Sequence, residues 1–553
     1  MILESVVIVG FALLLDFLVG DPKTRYHPTA WIGKLIASLV PFTKSNSAKR
    51  ELTGGILLVS IIVVTVCTVL IVLDIGISLL TIDIISLIVS IAVGSILLKT
   101  TIAIRGMQKH ALAVVDAVEE GDLDSARNHL SMIVKRDTKN LDKNQFLLNE
   151  RTGSELIVKK IAVRNPDRKR DVEVPSEILT TSWQDLVNDP EIDIIVELIG
   201  GVDEAFNLIA AALEANKVVV TGNKAVLAER GKELIEISEK QNTPLYCEAA
   251  VAGGIPIIKA VKEALIGNRI TAIFGIINGT SNYILTRMTN AGITFKDALA
   301  EASEKGYAEA DPSLDINGWD AGHKAIILGW LSYGHWLRSE EVSVEGIETI
   351  SLDDVSFAND LGYEIKLLGV IRQSENDHRI EVRVSPTLIP KGHILSSVDG
   401  VFNAIAVHGD VVGETLFYGS GAGQDATSSA VISDLADAAE NIHNEVGCTG
   451  FVPKGDFGEA LPLSETLSQY YLRLSVADQP GVLGQIADIT GKNNVGILSV
   501  IQPEPESSSE HIPLVLLLHD ASYGTVQNAL HAILALDSVD SKHTLLRVET
   551  LKN

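Results

Sequence analysis

Side chains that can hold or transfer protons are concentrated between Glu304 and Lys324, in the stretch EKGYAEADPSLDINGWDAGHK. Asp320 and Lys324 are four residues apart, so on a helix they would lie on one face and could pair. A carboxylate beside a lysine can orient the ammonium and tune its pKa, as general acid–base catalysis requires. The alternative is an ordinary ion pair on a helix surface, which contributes little to stability. The other ionisable side chains of the stretch are Tyr307, Glu309, Asp311, Asp315 and His323.

The local sequence indicates how this pair is positioned. The first half of the stretch has two glycines, a proline and repeated aspartates, which exclude a continuous helix. From Asp320 onward, DAGHKAIILGWL begins with an acid followed by apolar residues, which is typical of an amphipathic helix. We therefore expect Asp320 and Lys324 at a loop-to-helix corner.

Length and composition limit the number of domains, the kind of partner and the cellular compartment. A chain of 553 residues is long enough for roughly three domains. The net charge of −26 argues against a nucleic-acid partner, because phosphate binding needs basic patches. The three cysteines, Cys67, Cys247 and Cys448, lack metal-ligand spacing and favour a reducing compartment with unpaired thiols.

Apolar residues dominate the amino-terminal region. Gly54–Leu73 is free of charged residues, Ile84–Leu98 is a second apolar run, and Val6–Val19 is a weaker one that contains Asp16. Because about 20 apolar residues cross a bilayer, these runs predict amino-terminal transmembrane helices. A signal peptide is the alternative for the first run, but no Lys or Arg precedes it. The lysines and arginines of the loop before Gly54 and of the region after residue 99 place both in the cytoplasm. The expected location is membrane-anchored with a cytoplasmic catalytic part, or simply cytoplasmic if the amino-terminal segment is an artefact.

The middle of the chain alternates strand and helix patterns. Strands are predicted at Leu156–Val163, 192–200 and 217–221, with helices at Asp203–Ala215 and Lys224–Lys240. This alternation predicts an α/β fold with a Rossmann-type parallel sheet, whose ligand lies beyond the carboxyl ends of the strands. The residues that close those strands are Arg164, Gly200, Gly201, Thr221, Gly222, Asn223 and Lys224.

The last eighty residues predict a smaller module. Its strand and helix patterns follow a βαββαβ order from Tyr470 to about Leu545. That order is typical of a ferredoxin-like fold.

The amino-terminal region resembles a known membrane enzyme. DFLVGDPKTRYHPTAWIG at Asp16–Gly33 and KHALAVVDAVEEGDLDSARNHLSMIVKRDT at 109–138 resemble adenosylcobinamide-phosphate synthase of cobalamin biosynthesis. An Asp within an apolar run is costly unless it has a function or a partner. The resemblance covers about the first 140 residues, so a fragment of that synthase is one alternative function.

A second resemblance covers roughly residues 145–440. VELIGG, TGNKAVLAERG, EAAVAGGIPII, INGTSNYILTRM, GYAEADPSLDINGWDAGHK and YGSGAGQDATSSAVISDL occur in the order found in homoserine dehydrogenase. The resemblance implies NAD(P)-dependent interconversion of L-homoserine and L-aspartate 4-semialdehyde, with NADP or NAD as cofactor, in the biosynthesis of threonine, methionine and isoleucine.

The same resemblance implies roles for single residues. Lys324 would be the catalytic lysine, Asp320 would orient it, and Lys224 would approach cofactor and substrate together. The substrate would contact Glu309, Asp315 and Tyr307. The physical argument agrees, because reducing an aldehyde develops an alkoxide that a positioned ammonium stabilises and protonates.

Cofactor and cation sites are implied as well. Arg164 is placed to meet a 2′-phosphate of NADP, or is a surface arginine, and Gly423 belongs to the GSGAG loop that closes over the cofactor. The cofactor-binding set would be Arg164, Gly200, Gly201, Thr221, Asn223, Lys224 and Gly423. Glu248, Val251, Gly253 and Ile255 match a site for a monovalent cation such as sodium, bound largely through backbone carbonyls; otherwise they form only a Gly-rich turn.

The chain departs from the family at one place. No strand with a Gly-x-Gly-x-x-Gly turn precedes Leu156, so the Rossmann-type sheet is expected to be incomplete. Both resemblances break off near residues 138–148, which suggests that two genes have been joined. The expected domains are a membrane segment at 1–144, a truncated NAD(P)-binding domain at 145–248, an α+β catalytic domain at 249–445 and a carboxyl-terminal module at 468–550.

The DQPGVLGQIA turn and helix of that module resemble an ACT domain. The resemblance implies an amino-acid effector such as threonine, or a module that only dimerises, and the whole chain is expected to form a homo-oligomer. A catalytically inactive amino-acid sensor is the third functional alternative.

Overall fold

The computed structural model divides the chain into two compact units, Met1–Glu155 and Leu156–Asn553. In the first unit it describes residues 83–99 and, between residues 8 and 125, only isolated residues and short runs. In the second unit it describes residues 156–168, 172, 174–308, 311–374, 377–444, 446–447, 458–503 and 511–551.

The longest described element of the first unit is helix α1 at Asp83–Lys99, which contains the predicted apolar run Ile84–Leu98. Among the residues that the structure describes, no helix combines the length and the apolar character needed to cross a membrane. The other two predicted spans, Gly54–Leu73 and Val6–Val19, fall mostly on residues outside this description.

The second unit begins with short parallel strands. β1 (Ile161–Ala162) pairs with β2 (Leu179–Thr180), and the one-turn helix α2 (Gln184–Val187) follows. A separate parallel sheet has the order β3 (Ile194–Glu197), β4 (Val218–Thr221) and β5 (Leu245–Tyr246), with helix α3 (Asp203–Glu214) between β3 and β4. The predicted alternation of strands and helices is thus present, as a Rossmann-like arrangement in two separate pieces.

Burial explains why β4 is central. β4 (Val218–Thr221) consists of β-branched residues that are all buried, which is typical of a parallel strand covered on both faces. It leads into helix α4 (Lys224–Gln241), which is followed by β5 (Leu245–Tyr246). Along the described chain no strand pairs with the second edge of β3, whereas the other edge pairs with β4.

The catalytic region is built on a largely antiparallel sheet. Its first elements are α5 (Ile257–Lys259), β6 (Ile270–Ile276), α6 (Gly279–Ala291), α7 (Phe295–Glu304), α8 (Ser313–Ile316) and α9 (Trp319–Tyr333). The others are β7 (Ser343–Val344), α10 (Leu352–Asp360), β8 (Tyr363–Gln373), β9 (Ile380–Pro390), β10 (Phe402–Gly409), β11 (Gly413–Ser420) and α11 (Gln424–His443). The strand order is β11-β10-β6-β8-β9, with β7 beside β9. Helix α9 packs on β8 and β9, which are buried along almost their whole length.

The carboxyl-terminal module has the predicted βαββαβ order. Its elements are β12 (Leu467–Ala477), α12 (Val482–Lys492), β13 (Ile497–Ile501), β14 (His511–Ser522), α13 (Tyr523–Leu534) and β15 (Val539–Val548). The strands lie in the order β15-β12-β14-β13, which is the ferredoxin-like arrangement expected from the sequence. A separate apolar cluster, including Leu472, Leu474 and Ile486, forms the core of this module.

The catalytic region and this module share one ten-stranded sheet. β15 pairs in parallel with β9 through Arg547 with Thr387 and Val548 with Leu388. Beside this junction Arg383 is 1% exposed and pairs with Glu381 and Glu549, each at 2.7 Å. The two predicted domains are therefore separate in sequence but continuous in their hydrogen bonding.

Candidate active site

Lys324 and Asp320 lie in the first turns of helix α9. Gly318, with φ of +88°, turns the chain into this helix. The Lys324 ammonium lies 2.7 Å from Asp320 Oδ2 and donates to the Ile277 carbonyl oxygen, also at 2.7 Å. Both side chains are buried, at 7% exposure each, so the alternative of a surface ion pair does not apply. The position of the Lys324 ammonium is therefore fixed by Asp320, one helical turn away, and by the Ile277 carbonyl at the end of β6.

Lys224 reaches the same carboxylate from a different element. It is the first residue of α4, where the side chain of Asn223 caps the helix by accepting from the Val226 N–H at 3.2 Å. Its ammonium lies 3.0 Å from Asp320 Oδ1. The predicted residues Lys224, Asp320 and Lys324 are therefore brought together, with one carboxylate between two ammonium groups.

This arrangement determines the charge of Asp320. Burial alone would raise the pKa of Asp320, but Lys324 and Lys224, with hydrogen bonds from Lys324 and Asn278, hold it well below its usual range. The carboxylate therefore stays ionised at neutral pH. Its negative charge offsets the repulsion between the ammonium groups of Lys224 and Lys324.

Asn278 is a site residue that was not predicted from the sequence. It caps α6 and donates to Asp315 Oδ1 at 2.7 Å and to Asp320 Oδ2 at 2.8 Å. Its only sequence signal is an Asn placed before a Gly-Thr-Ser helix start in INGTS, which indicates a helix cap and not a site.

The predicted substrate residues border this centre. Asp315, on α8, is linked to Asp320 through Asn278, and burial raises the pKa of Asp315. Tyr307 is half exposed, its carbonyl accepts from Thr280 Oγ1 at 2.8 Å, and its ring packs against the Tyr283 ring with centroids 5.0 Å apart. Glu309 lies outside the described residues.

The predicted cofactor residues of the three-stranded sheet cluster at its carboxyl edge. Gly200 and Gly201 have φ of +71° and +76° and open space around them. Asn223 Nδ2 donates to the Gly201 carbonyl at 2.8 Å, and Thr221 Oγ1 donates to Glu197 Oε2 at 2.6 Å. Glu197, 1% exposed at the end of β3, was not predicted and ties the ends of β3 and β4 together.

Two further cofactor candidates lie on other elements. Arg164 is exposed just after β1, and Gly423, with φ of +107°, precedes helix α11. The GSGAG loop that contains Gly423 packs on the Gly-rich loop of the predicted cation site, where Gly254 N–H donates to the Ser420 carbonyl at 3.0 Å. The chain thus brings the two glycine-rich loops into contact.

In the predicted cation loop, the carboxylate of Glu248 caps a helix. Its two oxygens accept from the N–H groups of Ile258 and Lys259, each at 2.9 Å, and burial raises its pKa to about 7. In the same loop the Ile255 carbonyl accepts from the Ile257 N–H at 2.7 Å. Within the described residues there is no group of three or more His, Cys, Asp or Glu side chains suited to a metal ion.

The geometry suits proton transfer coupled to charge stabilisation. A buried ammonium beside an ionised carboxylate can protonate an oxygen on which negative charge develops, because both charges are already oriented by the protein. Gly200 and Gly201, with open space around them, lie at the carboxyl edge of the parallel sheet, where nucleotides bind in such folds. Together these features favour hydride-transfer chemistry on a small carbonyl compound.

Three protein-family models match this chain. Residues 256–436 match homoserine dehydrogenase, residues 131–248 match the NAD binding domain of homoserine dehydrogenase, and residues 9–148 match the CobD/Cbib protein family. The last two matches overlap at residues 131–148, which include the junction predicted at 138–148.

Individual relatives extend the likeness over most of the chain. Homoserine dehydrogenase from Pseudomonas aeruginosa is 41% identical over 416 residues, 74% of this chain and 95% of that protein. The one from Neisseria gonorrhoeae is 43% identical over 413 residues, 73% of this chain and 93% of that protein.

Solved structures show the same likeness. A homoserine dehydrogenase from Thiobacillus denitrificans has a TM-score of 0.69 at 41% identity, covering 74% of this chain and 94% of that chain. One from S. aureus has a TM-score of 0.59 at 31% identity with the same coverages. The chain therefore belongs to the homoserine dehydrogenase family, NAD(P)-dependent oxidoreductases that interconvert L-homoserine and L-aspartate 4-semialdehyde.

Proposed function

We propose that Lys324 exchanges the proton with the substrate oxygen in this reaction, that Asp320 orients it, and that Lys224 completes the charged centre. The observation that supports this most is the single buried carboxylate, which lies 2.7 Å from one ammonium and 3.0 Å from the other. When bound, the nicotinamide cofactor accepts or supplies the hydride.

The chemistry of the chain follows from these positions. As the aldehyde is reduced, its oxygen gains negative charge and takes a proton from the Lys324 ammonium. In the oxidative direction, the neutral amine of Lys324 accepts the proton of the homoserine hydroxyl. Asp320 stays ionised throughout and stabilises the ammonium form of Lys324. The ammonium of the amino-acid substrate needs a negative partner, for which we propose Asp315 and Glu309, with Tyr307 at the edge of the site.

We propose that cofactor binding is weakened by the lack of a first strand and glycine turn. A Gly-rich turn at a helix amino end supplies several N–H groups to a pyrophosphate. Inserting a β-strand with a Gly-x-Gly-x-x-Gly turn after residue 144 should therefore lower the KM for NADP at least about tenfold, since a few hydrogen bonds at roughly 1 kcal/mol each are gained.

The assay uses the purified full chain with homoserine and NADP, and follows the absorbance of reduced nicotinamide. Slow turnover that the insertion accelerates supports the proposal. A matched insertion with the three glycines replaced by valine serves as control. Absence of turnover in both the chain and the insertion variant would contradict the roles assigned to Lys324 and Asp320.

We propose NADP as the preferred cofactor, because Arg164 follows β1 at the place where a 2′-phosphate is bound in such sheets. Changing Arg164 to Ala should raise the KM for NADP about tenfold, as expected for the loss of one charge-assisted hydrogen bond. The KM for NAD should stay unchanged. Steady-state kinetics with both cofactors measure this, with R338A, far along the chain and exposed, as control. Equal changes for both cofactors would contradict a phosphate contact.

Further assignments concern the remaining parts of the chain. We propose that the ferredoxin-like module is an ACT domain for an amino-acid effector such as threonine, that the chain forms a homo-oligomer, and that a monovalent cation binds to the loop from Glu248 to Ile255. The fit of the loop rests on its backbone, since Ala252 and Gly253 have φ of +53° and +36° and turn the chain sharply.

For the first unit we propose a membrane anchor derived from a cobalamin-pathway synthase and joined to the dehydrogenase by gene fusion. Its support is the match of residues 9–148 to the CobD/Cbib family and the predicted apolar runs. Sequencing across the codons of residues 138–148 in genomic DNA decides whether the fusion is natural; two separate complete reading frames would exclude it. A complete synthase function is not favoured, because that match covers the first 148 residues alone.

A further inference from the structure

Both N–H donors of the Asn278 side chain, and its oxygen, form hydrogen bonds inside the site. It is 3% exposed, its Oδ1 accepts from the Ser281 N–H at 2.7 Å, and its Nδ2 donates to Asp315 and to Asp320. The opposite orientation of the amide would point its oxygen at two carboxylates and its NH2 group at an N–H group. The network therefore fixes which end of the amide faces the acids.

The two carboxylates need this donor because they are close to each other. Asp315 Oδ1 and Asp320 Oδ2 both lie within hydrogen-bond distance of one nitrogen, at 2.7 and 2.8 Å. The charge of each buried carboxylate disfavours ionisation of the other unless something else stabilises both charges. An amide NH2 group has one hydrogen for each of them.

The surrounding charges are unevenly distributed between the two acids. Asp320 is balanced by Lys324 on its own helix and by Lys224 on α4. Asp315 is faced by Asp320 and Lys324 from α9, and by the hydroxyl of Thr280 and the amide of Asn278 from α6. His323, whose pKa is lowered by burial, lies beside Asp320 and the two lysines. Asp315 is thus the acid that would take up a proton first.

Protonation of Asp315 would damage the site in two ways. A neutral carboxyl group no longer balances the ammonium of the amino-acid substrate. It would also accept more weakly from Asn278, which would loosen the amide that donates to Asp320 beside Lys324. We propose that Asn278 is a positioning residue that keeps Asp315 and Asp320 ionised and separate by donating one N–H to each. The proposal builds on the roles proposed above for these acids.

Two substitutions separate this role from helix capping. Asp caps helices as well as Asn does but has no N–H to donate, whereas Ala removes both the cap and the donor. N278D should therefore lose about 10- to 100-fold in kcat/KM with homoserine, at least as much as N278A, as expected for lost hydrogen bonds to charged groups. In N278A the acid limb of the pH profile of kcat/KM should move upward by about one unit.

Thermal unfolding tests the same proposal without an activity assay. In N278D a third carboxylate joins the pair, so its folded-state pKa is raised, and the resulting loss of stability grows as pH rises above the unfolded pKa of about 4. The melting temperature of N278D should match that of the wild type near pH 5 more closely than near pH 8. N290D, the same change on the same helix next to Asp399 but exposed, should show no such trend.

The outcomes are distinct. A wild-type dependence of the melting temperature on pH in N278D, together with a wild-type pH profile in N278A, would overturn the proposal and leave Asn278 as a helix cap. If the wild-type chain fails to turn over homoserine but N278D shows the pH-dependent loss of stability, the charge-separating role stands while the proposed function fails.

Discussion

Replacing Lys324 with Met should lower kcat at least about 1,000-fold, because both proton transfer and stabilisation of the developing oxyanion are lost. Met fills a similar volume and leaves the helix intact, so the chain should remain folded. Initial rates with homoserine and NADP over pH 6 to 9 measure the effect. We expect the loss at every pH in this range, since the Met side chain carries no proton to donate at any pH.

A matched control exists elsewhere in the chain. Asp488 and Lys492 form another pair four residues apart on a helix, at 2.6 Å, but both are exposed. K492M should leave kcat within about twofold of the wild type, since exposed pairs of this kind contribute little. A K324M enzyme with more than a tenth of wild-type kcat would contradict the role of Lys324.

Replacing Asp320 with Asn should destabilise the protein by about 3 to 5 kcal/mol at neutral pH, because it leaves two ammonium groups without their shared buried partner. The folded-state pKa of Asp320 is lowered, so its stabilisation is fully present above the unfolded pKa of about 3.9 and is lost as pH falls below that value. The stability difference between wild type and D320N should therefore be nearly constant from about pH 5 to 8 and shrink below about pH 4.

Urea unfolding followed by tryptophan fluorescence at pH 7.5 and at about pH 3 measures this difference. D488N, which removes the carboxylate of the exposed pair, should change stability by less than about 1 kcal/mol at either pH. A D320N variant as stable as the wild type at pH 7.5 would contradict a buried carboxylate that stabilises two ammonium groups. A difference that persists undiminished at about pH 3, or that already disappears near pH 5, would contradict the assigned direction of the Asp320 pKa.

Much of the site could be inferred from local sequence. The helix that carries Asp320 and Lys324, and the start of α4 at Lys224, were predicted because they depend on helix caps and apolar spacing that a short segment contains. That Asp320 bridges two lysines from different helices could not be derived from spacing. It depends on how α4 packs against α9, which is a property of the tertiary structure.

Other differences have similar causes. The predicted strand Leu156–Val163 is reduced to β1 at Ile161–Ala162, because a strand exists only where a neighbour pairs with it, and β2 is equally short. Asn278 and Glu197 were missed because a polar residue at a strand end looks the same in sequence whether it caps a helix or binds a carboxylate. Their roles follow from partners that are distant in sequence, namely Asp315 and Asp320 for Asn278, and Thr221 for Glu197.

The junction between β9 and β15 has a mechanical consequence. Because main-chain hydrogen bonds run from the catalytic strands into the carboxyl-terminal module, the module cannot swing on a hinge without breaking them and uncovering the buried Arg383. Calorimetry of residues 156–553 should accordingly record one melting transition, not two. A conformational change in the module would therefore reach the catalytic strands as a small sliding of β15 along β9.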